Sequence, residues 1–207
     1  MKLKHIALPL IAMSSISAFA NEDTTESPVS FSLVAGIAVG GDKLADIDYD
    51  NDTSDSIKAG SGFAFGGGVN FQINTNWSVQ SNLAYFFDTD NADNADIGIT
   101  RLTLDLIPYY KINNDFKVGA GITYHINPEF EYEITNISKS IIEFDSAMGL
   151  VASVGYELQS VNSWVELRYT AIDYEASNVN FLGMSIDAQG AEPVDANHLA
   201  LNFHYKF

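Results

Sequence analysis

The chain has no cysteine among its 207 residues. Disulfides, thiolate metal sites and cysteine nucleophiles are excluded with it. Basic residues are scarce, with 10 Lys and Arg against 27 Asp and Glu for a formal charge of −17. Phosphate binding needs clustered Lys and Arg, so the chain has no nucleic-acid partner on this reading. Beyond the first 20 residues no segment approaches the roughly 18 continuous apolar residues of a transmembrane helix. The stretch Gly60-Ser-Gly-Phe-Ala-Phe-Gly-Gly-Gly68 fits neither the phosphate-loop nor the dinucleotide spacing. What the chain does have is aromatic side chains, 13 Phe and 10 Tyr, too many for a disordered acidic polymer. A mean hydropathy of +0.01 would suit a soluble protein, but the pattern along the chain does not.

Residues 1–20 read as a secretory signal peptide. Lys2 and Lys4 give a positive start, Ile6 to Met13 a short apolar core, and Ala18-Phe19-Ala20 a cleavage site. Its removal takes Lys2 and Lys4, leaving 8 basic against 27 acidic residues and a mature charge of −19. Residues 21–29 are then a short periplasmic segment, and 30–207 a single membrane domain.

From residue 30 onward apolar residues alternate at period two, segment after segment, as half-buried strands require. The segments lie near 30–40, 60–73, 77–87, 97–110, 116–125, 147–158, 163–173 and 197–207. In the fourth, Leu102, Leu104 and Leu106 alternate with Arg101, Thr103 and Asp105. In the last, Leu199, Leu201, Phe203, Tyr205 and Phe207 alternate with His198, Ala200, Asn202, His204 and Lys206. Eight such strands predict an all-β fold, an eight-stranded antiparallel transmembrane β-barrel. The connections alternate short and long, which predicts short periplasmic turns and long acidic extracellular loops. Aromatics near both ends of the segments predict two interfacial girdles.

The leader, the eight amphipathic strands and the ending His198-Leu-Ala-Leu-Asn-Phe-His-Tyr-Lys-Phe207 together resemble the small eight-stranded outer-membrane barrels of the outer-membrane protein A transmembrane-domain and opacity-protein type. The resemblance implies an integral protein of the cell outer membrane, surrounded by lipid and lipopolysaccharide. It also implies that Leu201, Phe203, Tyr205 and Phe207 form the signal read by the barrel-assembly machinery. Adhesins, structural barrels and lipid-modifying enzymes share this architecture. The ending at the barrel leads us to expect no peptidoglycan-binding domain.

An eight-stranded barrel has an interior just filled by side chains. The inward parity set includes Arg101, Asp105, Lys117, Glu157, Glu166, Arg168, His204 and Lys206. Buried charges must pair, which predicts an Arg–carboxylate network of Arg101, Asp105, Glu166 and Arg168. Lys117, Glu157 and Lys206 are expected as solvated pairs near the periplasmic rim. The inward faces of the first two segments are small, with Gly36, Ala38, Gly62, Ala64 and Gly66, leaving either a ligand pocket or room for large neighbours.

The long loops hold 20 acidic residues against Lys43, Lys58 and Lys139. The run Asp46-x-Asp48-x-Asp50-x-Asp52 resembles the start of a calcium loop but lacks its central Gly and its final Glu. These four aspartates are candidates for weak divalent-cation binding. No cofactor is expected. Outer-leaflet lipid A deacylases resemble this architecture but carry a His-x-Ser motif, whereas His125 and His198 are followed by Ile126-Asn127 and Leu199-Ala200. The expected role is therefore not enzymatic. It is structural, or it presents the loops to a surface partner. A small ion or solute channel, a ligand-binding barrel and a lipid-modifying enzyme stand as alternatives.

Overall fold

The computed structural model describes residues 28–48, 54–92, 95–134 and 138–207. The signal peptide and the segment 21–27 lie outside them. Eight strands form the barrel: β1 (Val29–Gly40), β2 (Gly62–Gln72), β3 (Trp77–Ala92), β4 (Ala95–Lys111), β5 (Phe116–Ile134), β6 (Ala147–Leu158), β7 (Ser163–Ala171) and β8 (His198–Lys206). Each pairs antiparallel with the next, and β8 closes on β1 from Ser32↔Lys206 to Gly40↔His198. Closure removes the two free edges an open sheet would leave unbonded in hydrocarbon.

The period of two fixes which side chains face lipid. Along β8, His198, Ala200, Asn202 and His204 are buried while Leu199, Leu201, Phe203 and Tyr205 are exposed. Apolar side chains outside and polar ones inside reverse the soluble arrangement, as a lipid solvent demands. At the short-turn end, Phe31 stacks on Phe207, Trp77 meets Tyr110 at a tilt and Phe116 meets Tyr156 edge-on. At the other end Phe63 and Phe65 meet Phe87 and Tyr85. Two short turns share one device. Asn74 Oδ1 accepts from the amides of Asn76 and Trp77 at 3.0 Å, and Asn113 Oδ1 from those of Asp115 and Phe116 at 2.9 and 2.8 Å. A short side-chain acceptor replaces a backbone partner and holds the turn.

The long connections are largely strand rather than loop, which corrects the sequence reading. β3 to β5 run 16, 17 and 19 residues, well past a membrane span. They continue into a sheet that leaves the barrel, joined by 138–144, 176–181 and 184–187. The departure point is a bulge in the β4–β5 ladder between Thr100 and Leu102. Opposite it Asn127 takes a positive φ of 42° and Pro128 brings no amide hydrogen. The bulge flips the parity of β5. His125 points into the lumen, and above the bulge Phe130 continues that face while Glu129, Glu131 and Glu133 continue the lipid-side face.

Candidate functional site: a packed lumen

The lumen is filled in layers. At its centre Glu166 is fully buried, opposite Asn202 across the β7–β8 ladder. Asn202 Nδ2 donates to Glu166 at 2.9 Å, the Tyr109 hydroxyl at 2.5 Å, and His204 Nε2 lies 3.2 Å away. Arg168 joins the two central carboxylates. Its Nη1 donates to Asp105 Oδ2 at 2.6 Å, and its Nη2 lies 2.9 Å from Glu166 Oε2, at ion-pair distance but out of line for a hydrogen bond. The Thr123 hydroxyl donates to Asp105 at 2.7 Å. Each carboxylate thus meets a guanidinium and at least one further donor, as burial of charge requires.

Arg101 does not join this network, contrary to the sequence expectation. Its Nη1 and Nη2 donate to the backbone carbonyls of Ala59 and Gly60 at 3.0 and 3.1 Å, and its guanidinium sits over the Phe86 ring at 4.5 Å. The long connection after β1 reaches back over the mouth and supplies acceptors that strand parity alone cannot place. Beside Arg101 lie His125 and His198, with ring centroids 6.1 Å apart, and Tyr174, whose hydroxyl is 2.6 Å from His125 Nδ1. Above them Ile57, Ala59, Ile97, Ile99, Phe130, Phe144, Ile172, Tyr174 and Ala196 form a buried apolar cluster. This cap belongs to the sheet that leaves the barrel and to the connections folded beneath it.

Toward the short turns, Trp164 is packed between ring and cation. His204 stacks at a 3.9 Å centroid distance and the Lys117 ammonium lies 3.3 Å from the indole centroid. Gly155 makes this possible, since a Cβ there would fall 2.8 Å from the indole. Lys117 pairs with Glu157 at 2.8 Å, and Lys206 with the same carboxylate at 2.5 Å. The Lys117–Glu157 pair is shielded rather than solvated, with side-chain exposures of 10% and 17%. The wall of small residues on β1 and β2 is filled from neighbouring strands. A Cβ on Gly36 would fall 2.0 Å from Asn202 Oδ1, and one on Gly68 2.2 Å from Asn82 Oδ1.

Of the four candidate metal ligands, Asp50 and Asp52 lie outside the described residues, and Asp46 pairs with Lys43 at 2.8 Å. Asp48 belongs to the short hairpin of Lys43–Asp48 and Ser54–Lys58. On the projecting sheet the Glu131 carboxylate holds the Lys139 ammonium above the ordinary lysine value. Among the described residues no serine hydroxyl bonds a histidine ring. His198 Nδ1 faces the Ala196 carbonyl, and His204 faces Glu166 and Gln80. Phe207 donates its amide to the Phe31 carbonyl at 3.0 Å and leaves its ring exposed toward lipid. Tyr109 and Asn202, the unforeseen partners of Glu166, were within reach of sequence reasoning. Both have inward parity, and Asn202 stands directly across from Glu166.

The chain belongs to the family described as the outer membrane protein beta-barrel domain, matched over residues 6–207. It is an integral outer-membrane barrel. Its structure is similar to the attachment invasion locus protein Ail of Yersinia pestis, at 12% identity and a TM-score of 0.55, covering 86% of this chain and 97% of that one. It is also similar to neisserial surface protein A, at 14% identity and a TM-score of 0.51, covering 87% and 98%. Ail has also been solved with the heparin analogue sucrose octasulfate, and that structure gives a TM-score of 0.53 at 12% identity over 86% of this chain. No curated protein sequence matches the chain.

Proposed function

We propose that the protein is a non-enzymatic surface barrel that presents its projecting sheet to a partner outside the cell. The short turns then face the periplasm and the long connections the exterior. The observation that carries the reading is the two-faced character of that sheet. Its lumen-side face begins as the buried cap at Ile97, Ile99, Phe130 and Phe144 and runs outward through Ile142 and Val179 to Phe181, Met184 and Ile186. Those last three, with Leu182 at the hairpin tip, are 43–61% exposed. The opposite face carries Asp96, Glu129, Glu131, Glu133 and Glu143. Exposed apolar side chains above a membrane, rimmed by charge, mark an interaction surface.

The charge selects against one kind of partner. Ail has been solved with a polyanionic heparin analogue, whereas the long connections here hold 20 acidic residues and three lysines. A sulfated polymer would meet repulsion, so the suitable partner is neutral or cationic. Replacing Phe181, Leu182, Met184 and Ile186 by serine leaves the barrel strands untouched. Attachment of expressing cells to a surface should fall, with the outer-membrane level unchanged. Undiminished attachment would contradict the reading. Mass spectrometry of lipid A from cells with and without the protein tests the enzyme alternative, and a changed acyl pattern would establish it.

A further inference from the structure

The acidic charge of this chain is interrupted at one place. At the short-turn end the lumen opens into a cavity of about 940 Å³. Three lysines line it, Lys111, Lys117 and Lys206, with one carboxylate, Glu157. After loss of the leader the chain holds only eight Lys and Arg, so this single cavity gathers three of them. Their arrangement is not self-compensating. Lys117 and Lys206 share Glu157. Lys111 stands directly opposite Lys117 in the β4–β5 ladder and makes no ion pair among the described residues. Like charges directly opposite one another in a ladder destabilise it. The second sign is an unmatched donor. Ser32 lines the same cavity, is 5% exposed, and its hydroxyl has no hydrogen-bond partner. In the β1–β8 ladder it faces Lys206.

We propose that this cavity binds a short, extended anionic peptide whose carboxylates are held by Lys111 and Lys206, with Ser32 donating at depth. Carboxylates there relieve the Lys111–Lys117 repulsion and satisfy the orphaned hydroxyl. The volume falls within the roughly 300–1,000 Å³ of known small-ligand sites. Neutral polar side chains on the wall, among them Asn70, Gln72 and Gln80, suit the amides of a peptide backbone. Glu157 opposes the ligand, since it already occupies two of the ammonium groups. The floor of the cavity carries its own reporter. Trp164 lines it beneath Lys117, and the only other tryptophan, Trp77, faces outward on β3.

The test uses the folded barrel in detergent micelles with Trp77→Phe, so that emission comes from Trp164. Tetra-glutamate is the probe and tetra-glutamine the control. Tetra-glutamate should shift the emission saturably, more weakly as salt rises, and tetra-glutamine should not. Lys111→Gln should weaken binding about tenfold, the scale of one charge-assisted hydrogen bond, and Lys111→Gln with Lys206→Gln should abolish it. Glu157→Gln should tighten it. Titration calorimetry on the same samples covers a ligand to which the indole does not respond. Absence of both signals in a barrel shown to be folded by heat-modifiable migration would overturn the proposal. Equal binding of tetra-glutamine, or binding indifferent to Lys111→Gln, would overturn it too.

Discussion

Replacing Arg168 by methionine isolates the role of the central network. The guanidinium is the one cation between two buried carboxylates, 2.6 Å from Asp105 and 2.9 Å from Glu166. Its loss falls unevenly on them. Glu166 keeps Tyr109, Asn202 and His204 as partners, whereas among the described residues Asp105 keeps only the Thr123 hydroxyl. The cost therefore concentrates on Asp105, whose residue is 3% exposed. Breaking a buried pair by removing one partner costs about 3–5 kcal/mol, chiefly through the charge left behind. Methionine keeps most of the volume, so little of that cost is a cavity. Equilibrium unfolding in urea with the barrel in lipid, followed by the heat-modifiable gel band, measures it. Arg168→Met combined with Asp105→Asn removes the stranded charge and should recover at least half of the loss. A loss under about 1 kcal/mol, the scale of a surface pair, would refute the reasoning. So would a double variant no more stable than the single one.

Arg101→Met should cost about 1–3 kcal/mol, because it leaves the buried carbonyls of Ala59 and Gly60 unmatched, and it should speed hydrogen exchange in the cap while leaving β7 and β8 protected. Deleting Phe207 should lower the outer-membrane level and leave protein in the periplasm, yet the same variant should refold from urea into detergent. The exposed ring contributes burial of only about 1.5–3 kcal/mol, too little to unmake a closed sheet, whereas the assembly role we propose for it would act before closure. Equal failure in cells and in detergent would contradict that division. Gly155→Ala should perturb the Trp164 environment more than Gly183→Ala, since the first meets the indole and the second meets nothing within 4 Å. Near-ultraviolet circular dichroism compares the two.

The barrel was legible because lipid on one side and packed polar groups on the other impose a strict period of two. Along β7, Trp164, Glu166, Arg168 and Thr170 were assignable to the lumen from parity alone. The meeting of Asp105 with Arg168 followed from relative height along the strands. Three things were not legible. The parity rule fails at the bulge beside Asn127 and Pro128, so the acids beyond it read as loop although they lie on one sheet face. The partners of Arg101 are backbone carbonyls delivered by a long connection, and no side-chain pattern announces a carbonyl. The shielded Lys117–Glu157 pair was likewise invisible, because the Lys117 ammonium packs over the Trp164 ring and strand parity does not announce that contact.

Two separate layers close the lumen, the Glu166–Arg168–Asp105 network and the apolar cap above it. Current recorded across a planar bilayer holding the purified barrel tests this directly. The membrane should stay silent at moderate voltage, and the four-serine variant at the hairpin tip should be equally silent because the cap residues are untouched. Discrete, pore-sized openings from the unaltered protein would contradict it.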